Sequence, residues 1–310
     1  MENNSKSLKM TTYFNLKNQA LILSFAALFI VACGDDKPKD DTTENVDVEQ
    51  KDTKSPQLLE LDGKVFSIPS PIQTAFLIKN SGVTYNKDIL NVPSKVTGYS
   101  TNFKKAVNLG IYGADLGYVT LYDQTQDAIS FLTAVKTLGD DLGVSSAFDM
   151  ELVERFEKNI GNQDSVLSLV SEAYKSSDKY LKNNDQNHIG ALVLAGGWVE
   201  SLYFTTNSAE MTSNKEIINR VGEQKNTVNN LIKLLTPYYD EPEFSTLVDD
   251  LMELNEIFEK VEIVYTYVEP TVDVENKTTT VNSTTSVNIS ADVLKQITEK
   301  VAKIRAELIS

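Results

Sequence analysis

The chain is nearly devoid of thiol and imidazole. Its 310 residues contain one cysteine, Cys33, and one histidine, His188. A lone cysteine excludes an internal disulfide, and a lone histidine excludes a His-rich zinc site. The sequence also lacks a phosphate-cradling glycine loop with its lysine, an HExxH pair, a CxxC pair and a GxSxG elbow. Basic residues are outnumbered, with 29 Lys+Arg against 44 Asp+Glu and a net charge of −15. That balance argues against nucleic acid as a partner, whose binders cluster basic residues against phosphates. It argues equally against peripheral attachment to anionic lipid. The excess of acid favours solubility and discourages nonspecific association.

What is present begins with an anomalous leader. Lys6, Lys9 and Lys17 precede the apolar run ALILSFAALFIVA over 20–32. This run is too short for a membrane-spanning helix, which needs roughly 20 residues. Its length suits the apolar region of a secretory signal. Residues 34–56, GDDKPKDDTTENVDVEQKDTKSP, hold only two valines as apolar side chains. Such a segment cannot bury enough surface to offset its ordering entropy and is expected to be a disordered tether. A coil of this length reaches about 25–30 Å.

The junction Ile30-Val31-Ala32-Cys33-Gly34 resembles the bacterial lipobox. The resemblance implies lipidation of Cys33, and two or more acyl chains anchor a protein stably where one does not. Asp35 and Asp36 resemble the export signal of surface-exposed Bacteroidota lipoproteins. Asp41-Thr42-Thr43 resembles the O-glycosylation sequon of the same group, and a solvated charged linker is the alternative reading of that stretch. The domain beyond is similar to uncharacterised, mainly helical lipoproteins of Bacteroidota. The implied organisation is a signal peptide over 1–32, the lipidated cysteine and acidic tether over 33–58, and a helical domain over 59–310. The implied address is the outer membrane, on its periplasmic side or at the cell surface.

The domain reads as mainly α, a multi-helix bundle. Asp62-Gly63 within 59–68 points to a short strand or turn. Ser70-Pro71 opens a helix, since proline at the first helical position loses no needed N–H. Asp88 to Asn91 reads as one further helical turn before Pro93. Amphipathic spacing predicts helices over 102–123, 127–142, after Asp149, after Asp164, over 188–205 and 214–235, after Pro242 and after Ser290. Between the last two helices, 262–289 reads as a β-hairpin or a long polar excursion. Its valines and tyrosines alternate, and Glu275-Asn276-Lys277 supplies a turn.

Two helices carry unusual glycines. Gly110, Gly113 and Gly117 form a stripe on one, and Gly190 and Gly197 lie seven residues apart on the other. Each glycine costs roughly 1 kcal/mol inside a helix relative to alanine. Close packing of these two helices against each other would explain them. The same helices offer Tyr112, Asp115, Tyr118 and Tyr122 on one side and Trp198, Glu200 and Tyr203 on the other. If the helices meet, Asp115 and Glu200 face one cleft with aromatic walls, suited to a small ligand. The bland alternative makes the aromatics core and bonds Asp115 to a neighbouring hydroxyl. His188, at a helix start, reads as a surface or capping residue.

No cofactor or metal is expected from these patterns. The leading expectation is a non-enzymatic envelope protein, held to the membrane through Cys33, that binds an envelope protein partner or a small ligand. One alternative is a carboxylate-based or metal-dependent enzyme centred on Asp115 and Glu200. Another is an accessory component of an outer-membrane nutrient-uptake complex.

Overall fold

In the computed structural model, the described residues are 57–61, 64–68, 70–144, 150–159, 162, 186–273 and 278–310, with scattered positions between 165 and 176. Several sequence expectations lie outside them. These are the leader, Cys33, the tether over 34–56, Asp62-Gly63, the caps at Asp149 and Asp164, most of the helix that Asp164 opens, and the 275–277 turn.

A strand pair comes first. β1 (Gln57–Leu61) runs antiparallel to β2 (Lys64–Ile68), with Gln57 opposite Ile68. Helix α1 (Pro71–Asn80) starts with proline at its first position, and Ser70 before it is extended but makes no side-chain cap bond. Gly82, at φ 81°, turns the chain away from the helix end. Two 3-10 turns follow, Lys87–Ile89 and Pro93–Gly98.

α2 (Asn102–Leu121) is capped by Thr101, whose side chain accepts from Lys104 N. It ends at Leu121, and two residues on Asp123, with a left-handed φ of 58°, turns the chain off the helical path. α3 (Thr125–Asp141) and α4 (Met150–Asn159) come next. α5 (Asn187–Thr212) is the longest helix described. By composition it is apolar enough to cross a membrane, yet 78% of its most apolar window is buried within the protein. A helix apolar on all sides belongs in the middle of a core, and α5 packs against α1, α2 and the final helix.

The expected helix over 214–235 is two helices, α6 (Lys215–Glu223) and α7 (Lys225–Leu235), with Gln224 between them. Tertiary contacts override the continuous apolar period here. Gln224 turns its side chain inward, accepting from Trp198 Nε1 at 3.0 Å and donating to Arg220 O at 3.1 Å. Two residues earlier, Gly222 lies so close to Val287 that an added Cβ would sit 2.3 Å from Val287 Cγ1. α8 (Pro242–Phe258) then packs against α7.

Before the last helix lies an antiparallel arm. β3 (Glu262–Thr266) pairs with β6 (Thr284–Asn288), and further out β4 (Thr271–Asp273) pairs with β5 (Thr278–Thr280). Between the two ladders, residues 267–270 face only 281–283, so the register slips by one as at a β-bulge. Pro270 has no N–H to donate there. Side chains bridge the gap instead. Val268 N donates to Ser283 Oγ, and Asn282 Nδ2 donates to Glu269 O at 2.9 Å. The chain closes with α9 (Ala291–Leu308), capped by Ser290, which accepts from Val293 N.

The fold is therefore mainly α, a helical bundle with a hairpin before its last helix. α2 and α5 form its centre, and α9 packs on α5 and α8.

Candidate functional site

The centre of the bundle depends on missing Cβ atoms. A Cβ on Gly110 would lie 2.0 Å from Val193 O, and one on Gly196 would lie 1.9 Å from Val107 O. α2 and α5 therefore meet backbone to backbone. Gly197 sits at the same crossing, 3.4 Å from Gly110 O if given a Cβ. Gly117 faces Ile72 of α1 instead, and Gly113 faces open space. Gly190 is half-buried near the start of α5.

This close approach brings Asp115 of α2 and Glu200 of α5 together, both with 0% exposure. A third group joins them from α9. Arg305 donates through Nε to Glu200 Oε2 at 2.6 Å and through Nη2 to Glu200 Oε1 at 2.7 Å. Nη2 also donates to Ile89 O at 2.9 Å. The Tyr203 ring lies 4.3 Å from the guanidinium carbon, a cation–π distance. Asp115 Oδ2 accepts from Asn91 N at 3.3 Å. Its other oxygen, Oδ1, is buried and accepts no hydrogen bond, while the Glu200 carboxylate lies within hydrogen-bonding reach.

The polar network continues outward. Asn91 Nδ2 donates to Tyr99 Oη and to Asn108 Oδ1. Asn108 Nδ2 donates to Leu308 O at 2.9 Å, and Lys95 Nζ donates to Ile309 O at 3.1 Å. These donors satisfy carbonyls that a helix C-terminus leaves without intrahelical partners. The junction thus holds the last turn of α9 and the residue beyond it.

Electrostatics at the junction follow from burial. Loss of water, reinforced by the charge on Glu200, pushes Asp115 well above the usual carboxylate range. Burial also pushes Glu200 up, and the Arg305 guanidinium opposes that shift.

Of the aromatic residues on these helices, Tyr112, Tyr118 and Trp198 lie in the core, and Tyr122 and Tyr203 are half-buried. Tyr112 is fully buried and donates to Val92 O at 2.8 Å. Tyr118, also buried, packs between Tyr122 and Phe204 at ring distances of 4.8 and 4.9 Å. Its hydroxyl accepts from Asn86 N, and the half-buried Tyr122 donates to Val83 O. Trp198 is buried and donates through Nε1 to Gln224. His188 lies half-buried at the start of α5, its ring 6.1 Å from that of Tyr238. Among the described residues, no group of three His, Cys, Asp or Glu side chains is placed to hold a metal ion.

No protein-family model matches this chain, and no curated protein or solved structure is significantly similar to it. Its chemistry rests on the residues alone. Both oxygens of Glu200 are taken by Arg305, and neither carboxyl group reaches solvent. The junction is thus built to hold three helices in register.

Arg305, Asn91 and Asn108 belong to no motif visible in the sequence. Arg305 does leave a signal. It falls four residues after Val301 and eight after Ile297, on the apolar stripe of α9. A cation on an apolar stripe calls for a buried anion. Asn91 lies in an irregular segment and leaves no such mark.

Proposed function

We propose that the chain is a lipid-anchored envelope protein, tethered through Cys33 to the outer membrane, whose helical body displays the 262–288 arm to a partner protein. The occupant is an extended, basic segment of that partner.

The observation that carries this reading is the distribution of exposed apolar side chains. Of the eleven large hydrophobics exposed among the described residues, six lie on the arm: Val264, Tyr265, Tyr267, Val268, Val272 and Val281. A clustered exposed apolar surface marks an interaction site, whereas single exposed hydrophobics are ordinary. Tyr265 and Tyr267 are 63% and 69% exposed, and tyrosine is enriched at interfaces. The arm's ladders have two strands each, so their outer edges present unpaired backbone groups that another strand can take up. By sequence the arm is net acidic, with Glu262, Glu269, Asp273 and Glu275 against the single lysine Lys277. A basic segment complements them.

The body supports the arm without sharing its chemistry. Ile263 packs against the core, and its partner across the ladder, Val287, is buried near Gly222. The lipobox resemblance, the acidic tether and the filled centre of the domain fit display better than catalysis. Co-purification from the native envelope tests the reading, comparing the wild-type chain with Tyr265→Ser/Tyr267→Ser. The pair of changes should lose a partner retained by the wild type while leaving membrane association intact. Equal recovery of the same partner by both proteins contradicts the reading.

A further inference from the structure

We infer that Asp115 is a neutral acid at neutral pH, sharing its proton with Glu200, so that folding of the chain takes up a proton at this junction. This inference is independent of the arm and of its partner.

The geometry carries it. Glu200 gives both oxygens to Arg305 in a two-pronged pair, which fixes Glu200 as the ionised carboxylate. Asp115 has no cation of its own. Its Oδ2 accepts a backbone N–H from Asn91, and its Oδ1 is buried without a donor. An unpaired buried acceptor is costly, and a buried unpaired charge more so. A proton on Oδ1 resolves both problems. Oδ1 becomes a donor, and the neighbouring Glu200 carboxylate, rich in lone pairs, accepts it. The junction then holds one anion, one cation and one neutral acid, with no net charge.

The surrounding groups agree. From α2 the titratable groups are Asp115 and Tyr112, from α5 Glu200 and Tyr203, and from α9 Arg305. The chain after α1 adds Tyr85 and the 87–99 segment adds Tyr99, with Asn91 and Ile89 O as neutral partners. Among the described residues, no second cation enters to balance a second carboxylate. The raised titration of Asp115, caused first by burial and then by Glu200, runs the same way.

The sign of the pH dependence follows. In the unfolded chain Asp115 titrates as an ordinary carboxylate, near pH 4. In the folded chain it holds its proton to higher pH. Its contribution to stability is complete below about pH 4 and is progressively lost as pH rises toward the folded value. Folding at neutral pH therefore consumes a proton at this site.

The test uses the full chain and two readouts. Asp115→Asn places an amide N–H donor where the acid proton sits and removes the titration. Its urea midpoint should gain on that of the wild type steadily as pH rises from 4 to 8. Infrared difference spectra at pH 7 should show a protonated-carboxyl C=O band in the folded wild type that disappears on unfolding. A wild-type spectrum without that band overturns the inference, whether or not the variant folds. So does a midpoint difference that stays constant across pH.

Discussion

Arg305 and Glu200 lie 105 residues apart in the chain, yet two parallel hydrogen bonds of 2.6 and 2.7 Å join them in the interior. The pair fixes the last helix against the central one. Removing one member strands a charge in a site without water. Arg305→Met or Glu200→Gln should each lower unfolding free energy by about 3–5 kcal/mol. Arg305→Lys should not rescue, because an ammonium cannot span both Glu200 oxygens and Ile89 O together. The double variant Glu200→Gln/Arg305→Met should lose less than the sum of the single losses. Urea denaturation of the four proteins measures this coupling.

The glycines at the α2–α5 crossing are not interchangeable. A Cβ at Gly110 or Gly196 would lie within about 2 Å of a carbonyl oxygen, and neither backbone can yield alone. Gly110→Ala and Gly196→Ala should each destabilise by at least about 1–3 kcal/mol, the range of core overpacking. Gly113→Ala adds its methyl to open space within the same helix. It should stabilise by about 0.5–1 kcal/mol. Thermal melts of the three variants separate close packing from helix propensity.

Trp198 is the only tryptophan and is 2% exposed, with its Nε1 bonded to Gln224 at 3.0 Å. Gln224→Leu should leave that indole N–H unpaired and cost about 1–3 kcal/mol. Fluorescence reports it directly. The wild-type emission should be blue and shielded from aqueous quenchers, and the variant's unfolding midpoint should fall.

In the proposed reading, membrane attachment rests on one sulfur. Cys33→Ser should move the chain from the membrane fraction to the soluble fraction and abolish acyl labelling, with the domain's melting temperature unchanged. Fractionation of cells producing either chain checks this outcome.

Much of the architecture is visible in the residues, because it depends on local periodicity and caps. Thr101 and Ser290 precede their helices and accept the N–H bonds that capping requires. The arm's alternating valines and tyrosines mark a hairpin. The exception is instructive: 214–235 keeps a single apolar period through Gln224, and only the contacts to Trp198 and Val287 divide it. The site is half visible. Asp115 and Glu200 sit on the two glycine-bearing helices. The partner that decides their chemistry lies on α9, brought near only by tertiary packing. The tyrosines carry no sequence mark that distinguishes cleft from core. Their hydroxyl partners, Val83 O and Val92 O, are backbone atoms in irregular segments.

The most direct test of the account is crosslinking in intact cells. A photoreactive residue at position 265 of the full chain, on the exposed arm, is compared with one at position 129, exposed on α3. A discrete protein adduct from 265 and none from 129 is the expected result. Equal labelling from both positions, or no adduct from 265, contradicts the assignment of the arm as the binding surface.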